Sequence, residues 1–343
     1  MRLWVWLAAL LVLSGCLSRE TGDTKASSAE HVTVAADDID SAMDRGLDFL
    51  QESQLGYGEF RTYACWDALM RECSVDSSQF VTTFVVYSLT GFDESEARVM
   101  SDKALVYISK QEEPGGVWRY YSFRNSNNHV LKPDVDDTSA ASFLMKRSGI
   151  GFGDNRGLIE ANRNGRGVFY TWLGEEPERN NVDCAVNANV LFYFGRDDPD
   201  VCAYINDAII SGDNCSVYYP GRLSLFYMVS RALKNNVTCF DRSRDAIIRT
   251  TLAQRMVDGS FGGDLETALA LNVLLDLGYN GEEVDLGVKN LVERQATDGS
   301  WRRGVFFIDS DHASSSAPTR YFGSEELTTG FAIEALKKYK NQV

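Results

Sequence analysis

Three aspartates crowd the start of a predicted helix. Asp134, Asp136 and Asp137 lie within four residues, directly after Pro133, which cannot lie inside a helix. Asp134 is placed to cap that helix, because an aspartate there accepts a hydrogen bond from an amide two or three residues on. Carboxylates this close resist ionising together, so we expect at least one of them to keep its proton. Such a proton suits a general acid acting on an alkene, whereas a plain acidic helix start is the alternative reading.

The motif resembles that of a known enzyme class. Asp134-Val135-Asp136-Asp137-Thr138, followed by a small residue, is similar to the acid motif of the class II terpene cyclases of the squalene-hopene cyclase type. The resemblance implies that Asp136 donates the proton that starts cyclisation and that Asp134 and Asp137 support it. It also implies an apolar or isoprenoid substrate, and protonation that needs no metal or cofactor.

A second polar stretch follows about 50 residues later. Asp183 and Asn187 are four residues apart, on one face of an otherwise apolar predicted helix. Buried amides and carboxylates need partners, so this face is expected to meet other polar side chains or a ligand. Tyr170 and Trp172 precede the helix and supply rings that either pack in the core or stabilise a carbocation through their π-faces. These four residues are candidates for substrate binding.

A repeated pattern indicates how these residues are held. A helix that carries Gln near its end is followed by a Gly turn and an aromatic residue, and the Gln can tie the helix end to the turn. The pattern resembles the QW repeat of terpene cyclases and the related protein prenyltransferases. Its four copies end at Gln54 with Phe60, Gln111 with Trp118, Gln254 with Phe261, and Gln295 with Trp301.

Helices of two kinds alternate along the chain, and no strand-like alternation competes with them. Helices that are apolar all round are buried and amphipathic ones face water, so six of each predict an all-α (α/α)6 toroid of inner and outer helices. The resembled families use this barrel. The inner helices are predicted at 76–89, 134–147, 181–194, 221–233, 264–277 and 324–336, and the outer ones at 37–54, 95–111, 154–163, 199–211, 242–254 and 283–295.

Parallel inner helices would open all their N-termini at one end of the barrel. Five of the six starts carry carboxylates, and the exception is the helix that begins near Gly221. Glu266 and Glu325 therefore join the candidates for substrate contact. Capping and the helix dipole also explain acids at these positions, especially at Asp76 and Asp264.

The N-terminal sequence predicts a location in the bacterial cell envelope. Arg2 precedes the apolar run 3–13, which is too short to span a bilayer, and Leu13-Ser14-Gly15-Cys16 matches the bacterial lipobox. We therefore expect a signal peptide at 1–15, lipidated Cys16 with a flexible tether at 16–36, and one barrel domain at 37–343. Because Leu17 rather than Asp follows the cysteine, the predicted location is the outer membrane, facing the periplasm.

Charge and cysteine content narrow the partners. The 343 residues carry a formal charge of -15, with 49 acidic and 34 basic residues, which argues against nucleic acid as a partner. An oxidising compartment makes three disulfides plausible among the other six cysteines, and none of them has the CxxC spacing of a zinc site. Short loops favour Cys65 with Cys73 and Cys202 with Cys215, which leaves Cys184 with Cys239.

Three functions fit these features. The leading hypothesis is protonation-initiated cyclisation or isomerisation of a polyene, with Asp136 as the acid. A non-catalytic barrel that binds a lipid, glycan or protein is the second. The third is a glycan-cleaving enzyme that pairs Asp136 with Asp183 or Glu266, because (α/α)6 barrels also carry glycosidases. A dry aromatic pocket above Asp136 would favour the first, and an open polar groove the third.

Overall fold

A computed structural model describes residues 34–309 and 319–342, which lie in one compact unit. The described residues form twelve α-helices and two short 3₁₀ turns, at Pro177–Arg179 and Thr238–Ser243. In chain order the helices are α1 Ala36–Ser53, α2 Gln79–Leu89, α3 Ser95–Ser109, α4 Val135–Arg147, α5 Arg156–Ala161, α6 Cys184–Phe194, α7 Pro199–Ser211, α8 Arg222–Lys234, α9 Arg244–Leu252, α10 Asp264–Asp276, α11 Glu282–Arg294 and α12 Glu325–Lys340.

The even-numbered helices form a closed inner ring. Each packs against the next, from α2 through α4, α6, α8 and α10 to α12, and α12 packs back against α2. Inner helices are buried on nearly every side, and α6 is buried along its whole length. Outer helices such as α1 bury one face, because their apolar residues recur at helical spacing. The predicted alternation of outer and inner helices, and with it the (α/α)6 toroid, is confirmed.

The Gln and aromatic residues of the repeated pattern brace the helix ends. The Gln295 amide donates to the Gly299 carbonyl at 2.8 Å. Gly299 has a φ of +87°, and a Cβ there would lie 2.2 Å from the Arg45 carbonyl oxygen, so only glycine fits this turn. The indole of Trp301 then donates to the Leu291 carbonyl at 2.8 Å, from a fully buried position.

A small antiparallel sheet covers one end of the barrel, and the sequence did not predict it. Its strands are β1 Tyr63–Cys65, β2 Cys73–Val75, β3 Phe307–Asp309 and β4 Arg320–Gly323, in the order β2-β1-β4-β3. Strands of three or four residues are too short to show the two-residue alternation that reveals a strand. Two of them also follow the last Gln-aromatic turn, where the repeat gave no signal.

The disulfides correct two of the three suggested pairings. Cys65 pairs with Cys73 as expected, whereas Cys184 pairs with Cys215 and Cys202 with Cys239. Cys202 lies in the first turn of α7 and Cys215 beyond its end. A helix rises about 1.5 Å per residue, so α7 holds these two cysteines farther apart than a disulfide can reach.

Two acidic residues expected to cap inner helices have other roles. Ser78, not Asp76, caps α2, and Asp76 accepts hydrogen bonds from the Tyr120 hydroxyl at 3.1 Å and the Asn125 amide at 2.8 Å. Asp264 forms an ion pair with Arg294 instead of capping α10.

The predicted signal peptide and Cys16 lie outside the described residues. Within 34–309 and 319–342, no helix is both long and apolar enough to cross a bilayer.

Candidate active site

A cavity of about 620 Å³, partly open to solvent, lies where the inner helices begin. The first turns of α2, α4 and α6 enclose it, together with the segments before α4, α6 and α8 and the sheet that covers this end. Asp134, Asp136 and Asp137 all line it. So do many apolar and aromatic side chains, among them Phe80, Tyr120, Tyr121, Leu131, Trp172, Val186, Tyr218, Tyr219, Phe307, Ile308 and Phe322. The structure therefore places the acidic cluster in a largely apolar chamber.

The first turn of α4 positions the cluster. Asp134 caps the helix, since its Oδ1 accepts from the Asp137 amide at 2.7 Å, as the sequence predicted. The Asp137 carboxylate accepts from the side-chain amide of Gln79 on α2. All three aspartates are buried. The Asp134 cap fixes the first turn of α4 and therefore the directions of the Asp136 and Asp137 side chains.

Asp136 is held from behind by two donors. Its Oδ1 accepts from the Asn189 amide on α6 at 2.6 Å, and its Oδ2 accepts from the Tyr219 hydroxyl at 2.5 Å. Burial raises the pKa of Asp136 to about 6, against these two hydrogen bonds and the Arg231 charge, which lower it. Near neutral pH this carboxyl group therefore exchanges a proton readily, as a general acid must.

Asp134 and Asp137 titrate as a pair. Burial is the main cause that raises both pKa values, and a hydrogen bond between the two carboxyl groups favours a shared proton. The pKa of Asp137 rises well above its usual range, because the Asp134 and Asp136 charges add to its burial. The site thus holds fewer than three negative charges at neutral pH, which relieves the repulsion anticipated from the sequence.

Aromatic rings form much of the chamber wall. Phe307 of β3 and Phe322 of β4 stack with centroids 4.8 Å apart and planes 2° from parallel. The Trp172 indole donates to the Tyr218 hydroxyl at 3.0 Å, which satisfies its one polar atom. Ring faces of this kind attract cations, so the wall is chemically suited to a carbocation.

Asp183 and Asn187 bind the protein itself. Asp183 accepts four backbone amides, those of residues 185 and 186 at the start of α6 and of residues 217 and 218 before α8. Asn187 exchanges two 3.0 Å hydrogen bonds with the backbone of Phe169. Neither residue lines the chamber. Their polar groups fasten the loops that surround it.

Of the remaining residues predicted to contact substrate, one lines the chamber and three do not. Trp172 lines the chamber, but Tyr170, Glu266 and Glu325 do not. Glu325 forms an ion pair with Arg303 at 2.7 Å, and Glu266 packs against Gly262. Asp136 therefore has neither Asp183 nor Glu266 opposite it in the chamber.

Sequence reasoning missed the two donors to Asp136. Asn189 lies two residues after Asn187. Side chains two positions apart on a helix point about 200° apart, so Asn189 faces the barrel interior whereas Asn187 faces outward. The signal available was an extra amide on the inner face of an apolar helix. Tyr219 lies in the irregular segment before α8, where no periodic pattern marks its direction.

One group of side chains in the described ranges has metal-ligand spacing: Asp197, Cys202 and Cys239. The two cysteines are joined in a disulfide. Thiolates, not disulfide sulfurs, bind metals, so the group does not form a metal centre.

No protein-family model and no curated protein sequence matches the chain. Solved structures do. A protein from Actinoplanes aligns with a TM-score of 0.69 at 18% identity, over 88% of this chain and 99% of that one. The apo form of the type II terpene cyclase MstE from Scytonema aligns with a TM-score of 0.69 at 15% identity, over 90% of this chain and 100% of that one.

A more distant likeness is to the GH76 alpha-mannanase of Bacteroides thetaiotaomicron, with a TM-score of 0.54 at 9% identity, over 89% of this chain and 96% of that one. At such identities these likenesses show the fold. The chain has the fold of a type II terpene cyclase.

Proposed function

We propose that this protein is a class II terpene cyclase-like enzyme that protonates a double bond of an isoprenoid or related polyene from Asp136. The observation that carries the proposal is the position of Asp136: a buried carboxyl group with a raised pKa that lines a chamber of aromatic side chains.

The reaction balances without any other reagent. The Asp136 O–H bond breaks, and its proton forms a C–H bond with the π electrons of the substrate alkene. The resulting carbocation is attacked by further double bonds of the same molecule, and the cascade ends when the last cation loses a proton to water at the open side of the chamber. The product is an isomer of the substrate, and Asp136 regains a proton from solvent. The ring faces of the chamber wall stabilise the cation.

The structural neighbours support this substrate class. Variants of MstE have been solved with geranylgeranyl dihydroxybenzoate, described as the substrate, and with merosterolic acid A, described as the product. Because the alignment covers 100% of the apo MstE chain, a type II cyclase exists at the length of a single barrel.

The proposal extends to an envelope location. A lipid on Cys16 would tether the barrel to a bacterial membrane, which we propose is the outer membrane on its periplasmic side. Membranes dissolve isoprenoids, so a tethered enzyme would find its substrate in the same phase that anchors it.

Glycan cleavage has less support. Glycosidases place two carboxyl groups across the scissile bond, about 5–9.5 Å apart. The chamber carboxyl groups come from one helix start and from Asp309, which is paired with Arg320 at 2.8 Å. Neither Asp183 nor Glu266 completes such a pair with Asp136.

The test is a product search with a matched variant. Purified wild type, Asp136→Asn and the surface control Asp102→Asn are each incubated with bacterial lipid extract and with defined polyprenols, then analysed by liquid chromatography and mass spectrometry. We expect wild type and the control to form a product of unchanged mass and altered retention, and Asp136→Asn to form none. Equal product from Asp136→Asn would refute the acid role, and an unaltered lipid retained by all three would indicate a binding protein.

A further inference from the structure

One arginine lies deep inside the barrel. Arg231 is on the last turn of α8 and is 2% exposed. Burying an unpaired charge is strongly unfavourable, so the contacts that stabilise the Arg231 guanidinium indicate its role.

The guanidinium lies inside a cage of four rings. Its central carbon is 4.7–4.9 Å from the ring centroids of Phe84, Tyr87, Phe192 and Tyr227. Among the described residues no carboxylate forms an ion pair with it. The nearby carboxylates Glu334 and Asp276 share another cation, the Lys338 ammonium, at 2.8 Å each. Ring faces stabilise the charge without neutralising it, so its field remains available.

Among the described residues, Arg231 donates to the side-chain oxygen of Asn189 at 2.5 Å and to the Met228 sulfur at 3.0 Å. An asparagine amide has one oxygen that accepts and one nitrogen that donates. Since the guanidinium has only donors, it holds the Asn189 oxygen towards itself. The amide nitrogen is thereby turned to Asp136, where it donates at 2.6 Å.

We infer that Arg231 is a positioning residue that locks the Asn189 amide as a donor to Asp136, so that the acid proton is presented to the chamber and not to Asn189. The inference rests on the proposed function. Without Arg231 the amide is free to rotate and to offer its oxygen to the protonated Asp136. That hydrogen bond would hold the proton on the wrong side of the carboxyl group and weaken the acid.

The other groups near Asp136 influence its pKa in the wild type and in the Arg231 variants alike. Gln79, which is neutral, is the contribution of α2, through Asp137. The titratable groups that line the chamber with Asp136 are Asp134, Asp137, Tyr120, Tyr121, Tyr218, Tyr219 and Asp309. Asp183 lies outside the chamber lining, and its charge raises the pKa of Asp136. Arg231 is the cation that acts on Asp136 through Asn189, and its removal changes none of these groups directly.

The first test reads Asp136 without any substrate. The carboxyl carbon of Asp136 is assigned by comparing ¹³C spectra of the full chain with Asp136→Asn, and is titrated in wild type, Arg231→Met, Arg231→Lys and Phe192→Leu. We expect Arg231→Met to raise the midpoint by about one pH unit, because a favourable charge and a donor are both lost. Arg231→Lys should restore at least half of that shift.

Phe192→Leu is the structural control. It removes one ring of the cage but leaves the Arg231–Asn189–Asp136 chain, so its midpoint should stay at the wild-type value. A wild-type midpoint in Arg231→Met would overturn the inference. If Arg231→Met is too unstable to titrate, Asn189→Leu tests the same chain by deleting the amide donor: a raised midpoint supports the relay, and an unchanged one overturns it.

The second test uses the product assay across pH. Arg231→Met should lower the plateau rate at acidic pH by about tenfold or more while moving the descending limb to higher pH. A residue that only stabilises the barrel would lower the rate equally at every pH. If no protein forms product, the proposed function fails while the titration result stands, so the two failures are distinguishable.

Discussion

Asp136→Asn is expected to stabilise the fold at neutral pH by an amount that grows as the pH rises. The folded-state pKa of Asp136, about 6, lies above its ordinary value of 3.8. The folded protein therefore binds this proton more tightly than the unfolded chain does. That contribution to stability is fully present below pH 3.8 and is lost as the pH rises through about 6. Asparagine resembles the neutral acid in shape and cannot ionise, so the variant escapes the loss.

The magnitude follows from the two pKa values. The free energy of unfolding that wild type loses by ionising Asp136 is about 0.5 kcal/mol at pH 4 and about 3 kcal/mol at pH 7, taking about 1.4 kcal/mol per pKa unit. The difference in unfolding free energy between Asp136→Asn and wild type should therefore increase by about 2.5 kcal/mol between these pH values.

Urea unfolding at several pH values between 4 and 7, followed by circular dichroism, measures this difference. Asp102→Asn is the matched control, because Asp102 is exposed on α3 and loses the same charge. Its difference from wild type should stay within about 0.5 kcal/mol at every pH.

Two results would refute the reasoning. A difference that is constant with pH would mean that Asp136 has the same pKa in both states. A difference that shrinks as the pH rises would mean that Asn189, Tyr219 and Arg231 stabilise the carboxylate more than burial destabilises it.

Other expectations concern the anchors, the donors and the disulfides. Trp301→Ala should cost about 3–5 kcal/mol in urea unfolding, because a fully buried indole leaves a cavity, whereas Trp66→Ala, at a side chain 58% exposed, should cost less than about 0.5 kcal/mol. Tyr219→Phe removes a hydrogen bond to the ionised form and should raise the pKa of Asp136 in the carboxyl titration, so an unchanged midpoint would contradict the described contact. Peptide mapping without reduction should recover Cys184 linked to Cys215, and Cys184→Ser should lower stability by about 3–4 kcal/mol for a loop of 31 residues.

The barrel was predictable because its signals are local and repeated. Every inner helix is buried over most of its surface, so its sequence is apolar on most sides, and each Gln-aromatic turn marks a helix end. The acidic cluster was predictable for the same reason, since Asp134 caps α4 through contacts three residues away.

The surroundings of Asp136 could not be predicted in the same way. Asn189 and Tyr219 donate to Asp136, and Arg231 donates to Asn189. These residues come from three separate segments, which only the closed ring brings together. Asn187 attracted attention because it follows Asp183 at helical spacing, although it faces the loops. Arg231 did leave a signal in the sequence, as a charge in an inner helix, but nothing local indicates which residue it contacts.

The sheet that covers the chamber depends on strands from both ends of the folded domain. Tyr63 of β1 pairs with Gly323 of β4, so a hairpin made early must wait for a strand made near the end of the chain. Pairings so distant in sequence form slowly. A chain that ends before β4 would lack this cover. Because burial is the main cause of the raised pKa of Asp136, we expect that pKa to lie closer to 3.8 in such a truncated chain.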